Sequence, residues 1–267
     1  MQKDPSARIV NTKHWGDYFL FSIESPIIAT QALPGQFIMI RVSSRDYPLL
    51  RRPLSIHARE QNIIDIFFQA SGLGTALLSQ KTSSDSLDIL GPLGHGFSLK
   101  GKEDLEDREV ALIGGGRGIA PLFFLAQELR QRGAEVVVFY GGKTRSDLPL
   151  KDKFLKNGIS VSCSTDDGSF GFHGFVTELF EAETEKKSFN FIYACGPEAM
   201  LEKTGQIGLQ KDIPAEFSLE SMMGCGFGAC WGCVTKIKSK MGSEWQKTCE
   251  KGPVFSAKNI IWLNENK

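Results

Sequence analysis

The sequence predicts an α+β chain of several domains: an N-terminal antiparallel β-barrel, an α/β domain built on a parallel sheet, and a small C-terminal domain rich in cysteine. Three observations carry this. Short apolar runs broken by turn residues fill the first hundred positions, strand and helix patterns alternate over the next hundred, and four cysteines crowd between positions 225 and 249.

In the first part, strand-like runs cover 18–24, 36–42, 53–58 and 63–69, and Pro34-Gly35 and Gly91-Pro92 punctuate them as turns. Short strands at that spacing suggest a small barrel or sandwich. A short helix is expected over 75–80, after Gly72-Leu73-Gly74. The charged stretch 101–106 reads as a linker, which gives domains of 1–100, 101–216 and 217–267. In the second part, 110–113 is a compact apolar strand and 114–118 a glycine turn. A helix is expected over 119–130, because Leu122, Leu125, Ala126 and Leu129 recur at helical spacing. Strands at 136–140, 159–163 and 191–194 alternate with helical segments, the pattern of a parallel sheet covered on its faces. Short strands at 234–237 and 260–263 surround the cysteine loop.

Bulk properties exclude several functions. The 267 residues are 41% hydrophobic and 23% charged, with a formal net charge of zero, so neither nucleic acid nor an anionic membrane would be drawn to the chain at long range. No apolar run reaches the length of a membrane span, and the first six residues have no export signal. A cytoplasmic protein with free thiols is expected.

Cys225, Cys230, Cys233 and Cys249 follow the spacing C-x4-C-x2-C-x15-C, which is that of plant-type 2Fe-2S ligands. A zinc site usually shows two close cysteine pairs, or a pair answered by histidines. Here only Cys230 and Cys233 form such a pair, and no histidine follows Cys225. Gly224, Gly226, Gly228 and Gly232 leave room for backbone to wrap the sulfurs. Cys163 stands among apolar neighbours and reads as a packing residue.

Two other segments suit phosphate. Arg51-Arg52-Pro53-Leu54-Ser55 alone would be a solvated turn, but with Gly72-Leu73-Gly74-Thr75 it offers a cation and backbone N–H groups to a nucleotide diphosphate. Gly114 to Pro121, between a strand and a helix, could hold the diphosphate of a second dinucleotide or be a plain tight turn. Cys195-Gly196-Pro197 follows a predicted strand of the parallel sheet, at the edge where ligands bind, although core packing of Cys195 is an equal reading.

Taken in order, Arg52-Pro53-Leu54-Ser55, Gly74-Thr75, the glycine turn ending Ala120-Pro121, and Cys195-Gly196-Pro197 resemble the ferredoxin-NADP reductase superfamily. The segment from Glu220 to Cys230, with Cys249 and Gly252-Pro253-Val254-Phe255, narrows the likeness. Over positions 8–262 the chain resembles the iron-sulfur, FAD-containing electron-transfer subunits of class 1B dihydroorotate dehydrogenases.

The resemblance implies roles. Arg52 would face the FAD phosphates, with Pro53, Leu54 and Ser55 at the flavin; Leu54 replaces a tyrosine common in other reductases. Phe67, Phe68 and Gln69 would form the second flavin strand, with Gly74 and Thr75 at the diphosphate. Gly115, Gly116, Gly118, Ala120 and Pro121, with Cys195, Gly196 and Pro197, would receive NAD, and the four cysteines would hold the cluster. Arg117 departs from the aliphatic residue usual there, and Lys143 and Arg145 leave NAD against NADP open.

The implied function is an oxidoreductase subunit without an acid–base catalytic residue of its own. A partner carrying FMN would oxidise dihydroorotate for pyrimidine biosynthesis, and electrons would pass by way of the cluster and FAD to NAD+. Two heterodimers would form a heterotetramer, with Phe227 and Trp231 near the docking face. The alternatives are an NAD(P)H-dependent reductase subunit of a hydrogenase-like or oxygenase system, and a metal-stabilised module without turnover.

Overall fold

The structure, a computed structural model, describes residues 1–43, 47–99 and 106–262. Six antiparallel strands close a barrel: β1 (Gln2–Trp15), β2 (Tyr18–Glu24), β3 (Phe37–Arg41), β4 (Arg52–Glu60), β5 (Ile63–Gln69) and β6 (Ser86–Leu93), in the order β1-β2-β5-β4-β3-β6. Closure leaves no free sheet edge. The strands predicted at 18–24 and 63–69 are β2 and β5, and their inward residues Phe21, Ile23, Ile64 and Ile66 are fully buried in the barrel core.

Two features of the barrel differ from the sequence reading. Gly91-Pro92 is not a turn but lies inside β6, where the register against β3 shifts between Phe37 and Met39. Proline is tolerated in a sheet at such a bulge because no ladder bond is asked of it. Strand β1 was not expected, since only Ala7 and Ile9 are buried along its length and Pro5 interrupts it. Its pairing with β2 and β6, bulged between Asp4 and Ala7, is what makes it a strand.

Helix α1 (Pro26–Ala29) and helix α2 (Leu73–Ser79) decorate the barrel. The expected linker falls at 101–105, outside the described residues, apart from Glu106. The second sheet contains β7 (Glu109–Gly115), β8 (Glu135–Gly142), β9 (Ser160–Thr165), β10 (Phe172–His173), β11 (Phe191–Cys195), β12 (Ala215–Ser218) and β15 (Val254–Ser256), ordered β10-β9-β8-β7-β11-β12-β15. All neighbours are parallel except β12 and β15. Helices α3 (Leu122–Gln131), α4 (Lys151–Lys156), α5 (Val176–Thr184) and α6 (Glu198–Gln210) complete this part.

The helix expected over 119–130 begins later. Residues Gly116–Ile119 wind as a 3-10 turn, and α3 starts only after Pro121, whose ring suits the beginning of a helix rather than its interior. After Cys233 come the hairpin β13 (Val234–Ser239) and β14 (Gly242–Lys247), then the one-turn helix α7 (Thr248–Lys251). The last expected strand reduces to one bridge between Ile260 and Ile237, and Leu263 lies outside the described residues.

The barrel and the sheet are fastened by side chains. Tyr18 donates to Asp147 Oδ1 at 2.8 Å, Lys153 pairs with Asp65 at 3.0 Å, and Tyr193 donates to the Ser98 carbonyl at 2.8 Å. Phe124, from α3, is buried in the barrel core. Burying one aromatic side chain contributes about 2–3 kcal/mol, so this apolar contact adds to the polar ties.

Candidate functional site: a cysteine quartet beside an interdomain cavity

The cysteine loop packs on the barrel. Phe37, Met39 and Leu93 form an apolar cluster with Cys233 and Cys249, with Leu90 and Met223 at its margin. Gly226 has φ +82, and a Cβ there would lie 2.5 Å from Met39 Cγ; Gly228 has φ +87 and would strike Glu250. These two positions require glycine. At Gly224 and Gly232 a Cβ would make only ordinary contact with Cys230 Sγ, at 3.5 and 3.7 Å.

The four thiols lie near one another: Cys225 interacts with Cys230, and Cys249 with both Cys233 and Cys225. Backbone amides point at them: Gly228 N–H donates to Cys249 Sγ at 3.2 Å, and Cys230 N–H to Cys225 Sγ at 3.4 Å. Burial pushes the Cys225 thiol up, but amides of Cys230, Phe227 and Ala229 outweigh it and hold the pKa at about 6. Burial and the hydrogen bond with Cys233 push Cys249 up to about 12; a bound metal would supply the charge that favours its thiolate. Four thiols on one segment, two of them accepting backbone N–H bonds, fit the thiolate ligands of an iron-sulfur cluster.

Lys247 fixes the loop from below. Its ammonium donates to the Gly228 carbonyl at 2.7 Å, pairs with Glu250 at 3.1 Å, and sits 4.8 Å from the Trp231 ring centroid. Trp231 itself is 65% exposed and Phe227 46%, so neither is a lid buried over the sulfurs.

A cavity of about 270 Å³ opens where barrel, sheet and C-terminal segment meet. Of the residues singled out in the sequence, Pro53, Leu54, Ser55, Phe67, Phe68, Gln69, Thr75, Gly118, Ala120, Pro121 and Cys195 line it. Strands β4 and β5 supply the first six. Gly118 stands where a Cβ would come within 2.2 Å of the Cys195 carbonyl. Gly115, Gly116, Gly196 and Pro197 do not line the cavity. Gly115 packs beside Pro197 and Met200, and Gly196, at φ +158, adjoins Met200 and the Gly115 amide.

Arg51 and Arg52 have opposite fates. Arg51 is bound to Asp88 at 2.8 Å. Arg52 lies over Gly74, where a Cβ would meet its Nε at 2.2 Å, and donates to the Leu50 carbonyl. Thr75 Oγ1 takes the N–H groups of Ser71 and Gly72 at 3.1 and 3.2 Å, so those amides are already partnered and the cation is the stronger offer to a phosphate here.

Sequence reasoning missed the far wall, formed by Ser218, Leu219, Glu220, Ser221 and Met223 with Phe37 and Pro253. The available signal was the end of β12, since ligands of parallel sheets lie beyond the carboxyl ends of the strands. Cys195 is both packed and cavity-lining. Burial, then the Glu220 charge, pushes its thiol up, so it stays neutral. His57, on β4, is fully buried with Nδ1 2.7 Å from the Ala120 carbonyl. Burial, then the Lys153 charge, lowers its pKa, so the neutral ring fixes the turn at Ala120 to the barrel.

A flavin-reductase barrel and nucleotide sheet, joined to four cysteines in an amide-lined loop, define an iron-sulfur electron-transfer protein of the ferredoxin-NADP reductase type. Residues 220–261 match the iron-sulfur cluster binding domain of dihydroorotate dehydrogenase B, and 112–206 match the oxidoreductase NAD-binding domain. The chain is 37% identical over 246 residues to the dihydroorotate dehydrogenase B (NAD(+)) electron transfer subunit of Desulforamulus reducens, covering 91% of this chain and 92% of that protein. It is 40% identical to the same subunit of Geobacillus thermodenitrificans, covering 90% and 91%. Among solved structures, one described as an NADH-dependent reduced ferredoxin-NADP oxidoreductase superposes with a TM-score of 0.84 at 27% identity, covering 98% of this chain and 92% of that one. The ferredoxin reductase of a carbazole 1,9a-dioxygenase shares the fold, with a TM-score of 0.66 at 22% identity, covering 81% and 68%. The chain belongs to the family of dihydroorotate dehydrogenase B (NAD+) electron transfer subunits, and is thus an oxidoreductase component with iron-sulfur and NAD-binding domains.

Proposed function

We propose that the chain carries electrons from an FMN-containing dihydroorotate dehydrogenase catalytic subunit, by way of its 2Fe-2S cluster and FAD, to NAD+ in the cytoplasmic synthesis of pyrimidines. The observation that carries the reading is the shared wall: Phe37 and Met223 both line the cavity and pack with the cysteines. The fold family and the relatives' names support it. FAD exchanges hydride with nicotinamide and single electrons with an iron-sulfur centre, which is the chemistry such a junction needs.

Each segment has its part. The barrel, 1–100, holds FAD with Arg52, Gly74 and Thr75 on its phosphates and Pro53, Leu54, Ser55, Phe67, Phe68 and Gln69 along the ring. The sheet, 101–216, offers Gly115, Gly116, Gly118, Ala120 and Pro121, with Cys195, Gly196 and Pro197, to NAD. The last segment, 217–267, binds the cluster through Cys225, Cys230, Cys233 and Cys249. The exposed rings of Phe227 and Trp231 beside the ligands form the docking face, where two heterodimers assemble as a heterotetramer. Among the described residues no helix is long and apolar enough to cross a membrane.

Copurification with the catalytic subunit and assay of dihydroorotate-dependent NAD+ reduction tests the reading. The high superposition with a reduced-ferredoxin oxidoreductase favours one rival, a reductase of another system. That rival predicts NAD(P)H oxidation that does not change when the dihydroorotate-oxidising subunit is added.

A further inference from the structure

Arg117 crosses from the sheet domain to the barrel. It belongs to the turn Gly116–Ile119 after β7, yet its Nη1 donates to Ser71 Oγ, on the loop after β5, at 3.0 Å. Ser71, Thr75 and Arg117 all line the cavity. Arg52 approaches the same four-residue stretch from the other side, lying over Gly74. Two guanidinium groups from barrel and sheet therefore approach residues three apart, Ser71 and Gly74, where the loop after β5 runs into α2.

Neither of them forms a salt bridge among the described residues, whereas Arg51 pairs with Asp88 and Arg8 with Glu24. Two guanidinium groups near one short stretch of backbone, neither held by a salt bridge, can both turn to an anion bound there. A diphosphate has the matching charge, and guanidinium forks suit its oxygens.

Resting on the reading that FAD occupies the cavity, we propose that Arg117 is a second phosphate-binding residue for the flavin, supplied by the nucleotide domain to the barrel's site. The guanidinium does not fold back over its own glycine turn, where the diphosphate of NAD would lie; it reaches Ser71. FAD binding then fastens the two domains to each other, with Arg52 holding the diphosphate from the barrel and Arg117 from the sheet.

The test titrates the full-length chain, stripped of flavin, with FAD and with riboflavin, reading the dissociation constants from fluorescence quenching at low and high salt, and the FAD-induced rise in Tm. The variant R117L is expected to weaken FAD by roughly tenfold or more, the scale of one charge-assisted hydrogen bond, and to leave riboflavin, which has no phosphate, unchanged. It also flattens the salt dependence of FAD binding, while R117K restores part of both. If R117L is too unstable to titrate, R117Q, which keeps an N–H for Ser71 but no charge, carries the same expectation. Unchanged FAD affinity with a raised KM for NADH would assign Arg117 to the dinucleotide and overturn the proposal; unchanged values for both would make it a solvent cation and also overturn it. A wild-type chain that fails to bind FAD would instead defeat the underlying reading.

Discussion

Phe37 packs with Cys233 on one side and lines the interdomain cavity on the other. One residue of β3 thus belongs to both sites, and it is almost fully buried, 3% exposed. The two centres are neighbours because the cysteine loop lies directly on the barrel strand that forms the cavity wall.

Shortening this ring tests the wall. Phe37→Ala is expected to destabilise the chain by about 3–5 kcal/mol, as for other large-to-small core changes, and Phe37→Leu by less. Urea denaturation measures the loss, and absorbance reports whether flavin and cluster remain.

The cysteines divide cleanly. Serine at Cys225, Cys230, Cys233 or Cys249 should cut iron and acid-labile sulfide sharply, because thiolate is the ligand. Cys163 lies on β9, in a different core cluster from Cys233 and Cys249, and burial pushes its thiol up to about 11, so Cys163→Ser should retain full metal content. Iron and sulfide analysis of anaerobically purified protein decides this.

His57 predicts an acid limit. Its folded pKa lies below the ordinary 6.5 because of burial and then Lys153, so the fold holds the neutral ring. The unfolded chain takes up the proton first as pH falls. Stability from this group is complete above about pH 6.5 and is lost below it, at roughly 1.4 kcal/mol per pH unit. In His57→Gln this part of the slope should vanish, as denaturation between pH 7 and pH 5 would show.

Trp231 should matter to assembly and not to loading. With its ring 65% exposed and Lys247 beside it, Trp231→Ala is expected to leave iron content unchanged. If the docking face is as proposed, affinity for the catalytic subunit falls about 30-fold or more, the scale of an interface hot spot. Calorimetric titration with that subunit measures it.

Much of the fold was legible where pattern and environment agree. Strands β2, β5, β8 and β11 are apolar runs between turn residues, and their burial explains why composition revealed them. Strand β14 was not legible, because four of its six residues are exposed and pairing with β13 alone defines it. The same limit hid Ser71 and Ser218, which have no signature until the chain brings them to the cavity.

By itself, the sequence determined the ligand chemistry: the sulfur spacing, the glycines at Gly226 and Gly228, and the ordered cofactor motifs are local, and local covalent spacing restricts what a loop can hold. Only the tertiary structure decided that Arg51 is bound to Asp88 while Arg52 lies over Gly74, where β12 ends, and that Phe37 belongs to both cavity and cysteine cluster. Those are contacts between residues distant in the chain, fixed by barrel closure and by packing of the sheet against it, and no local pattern encodes them.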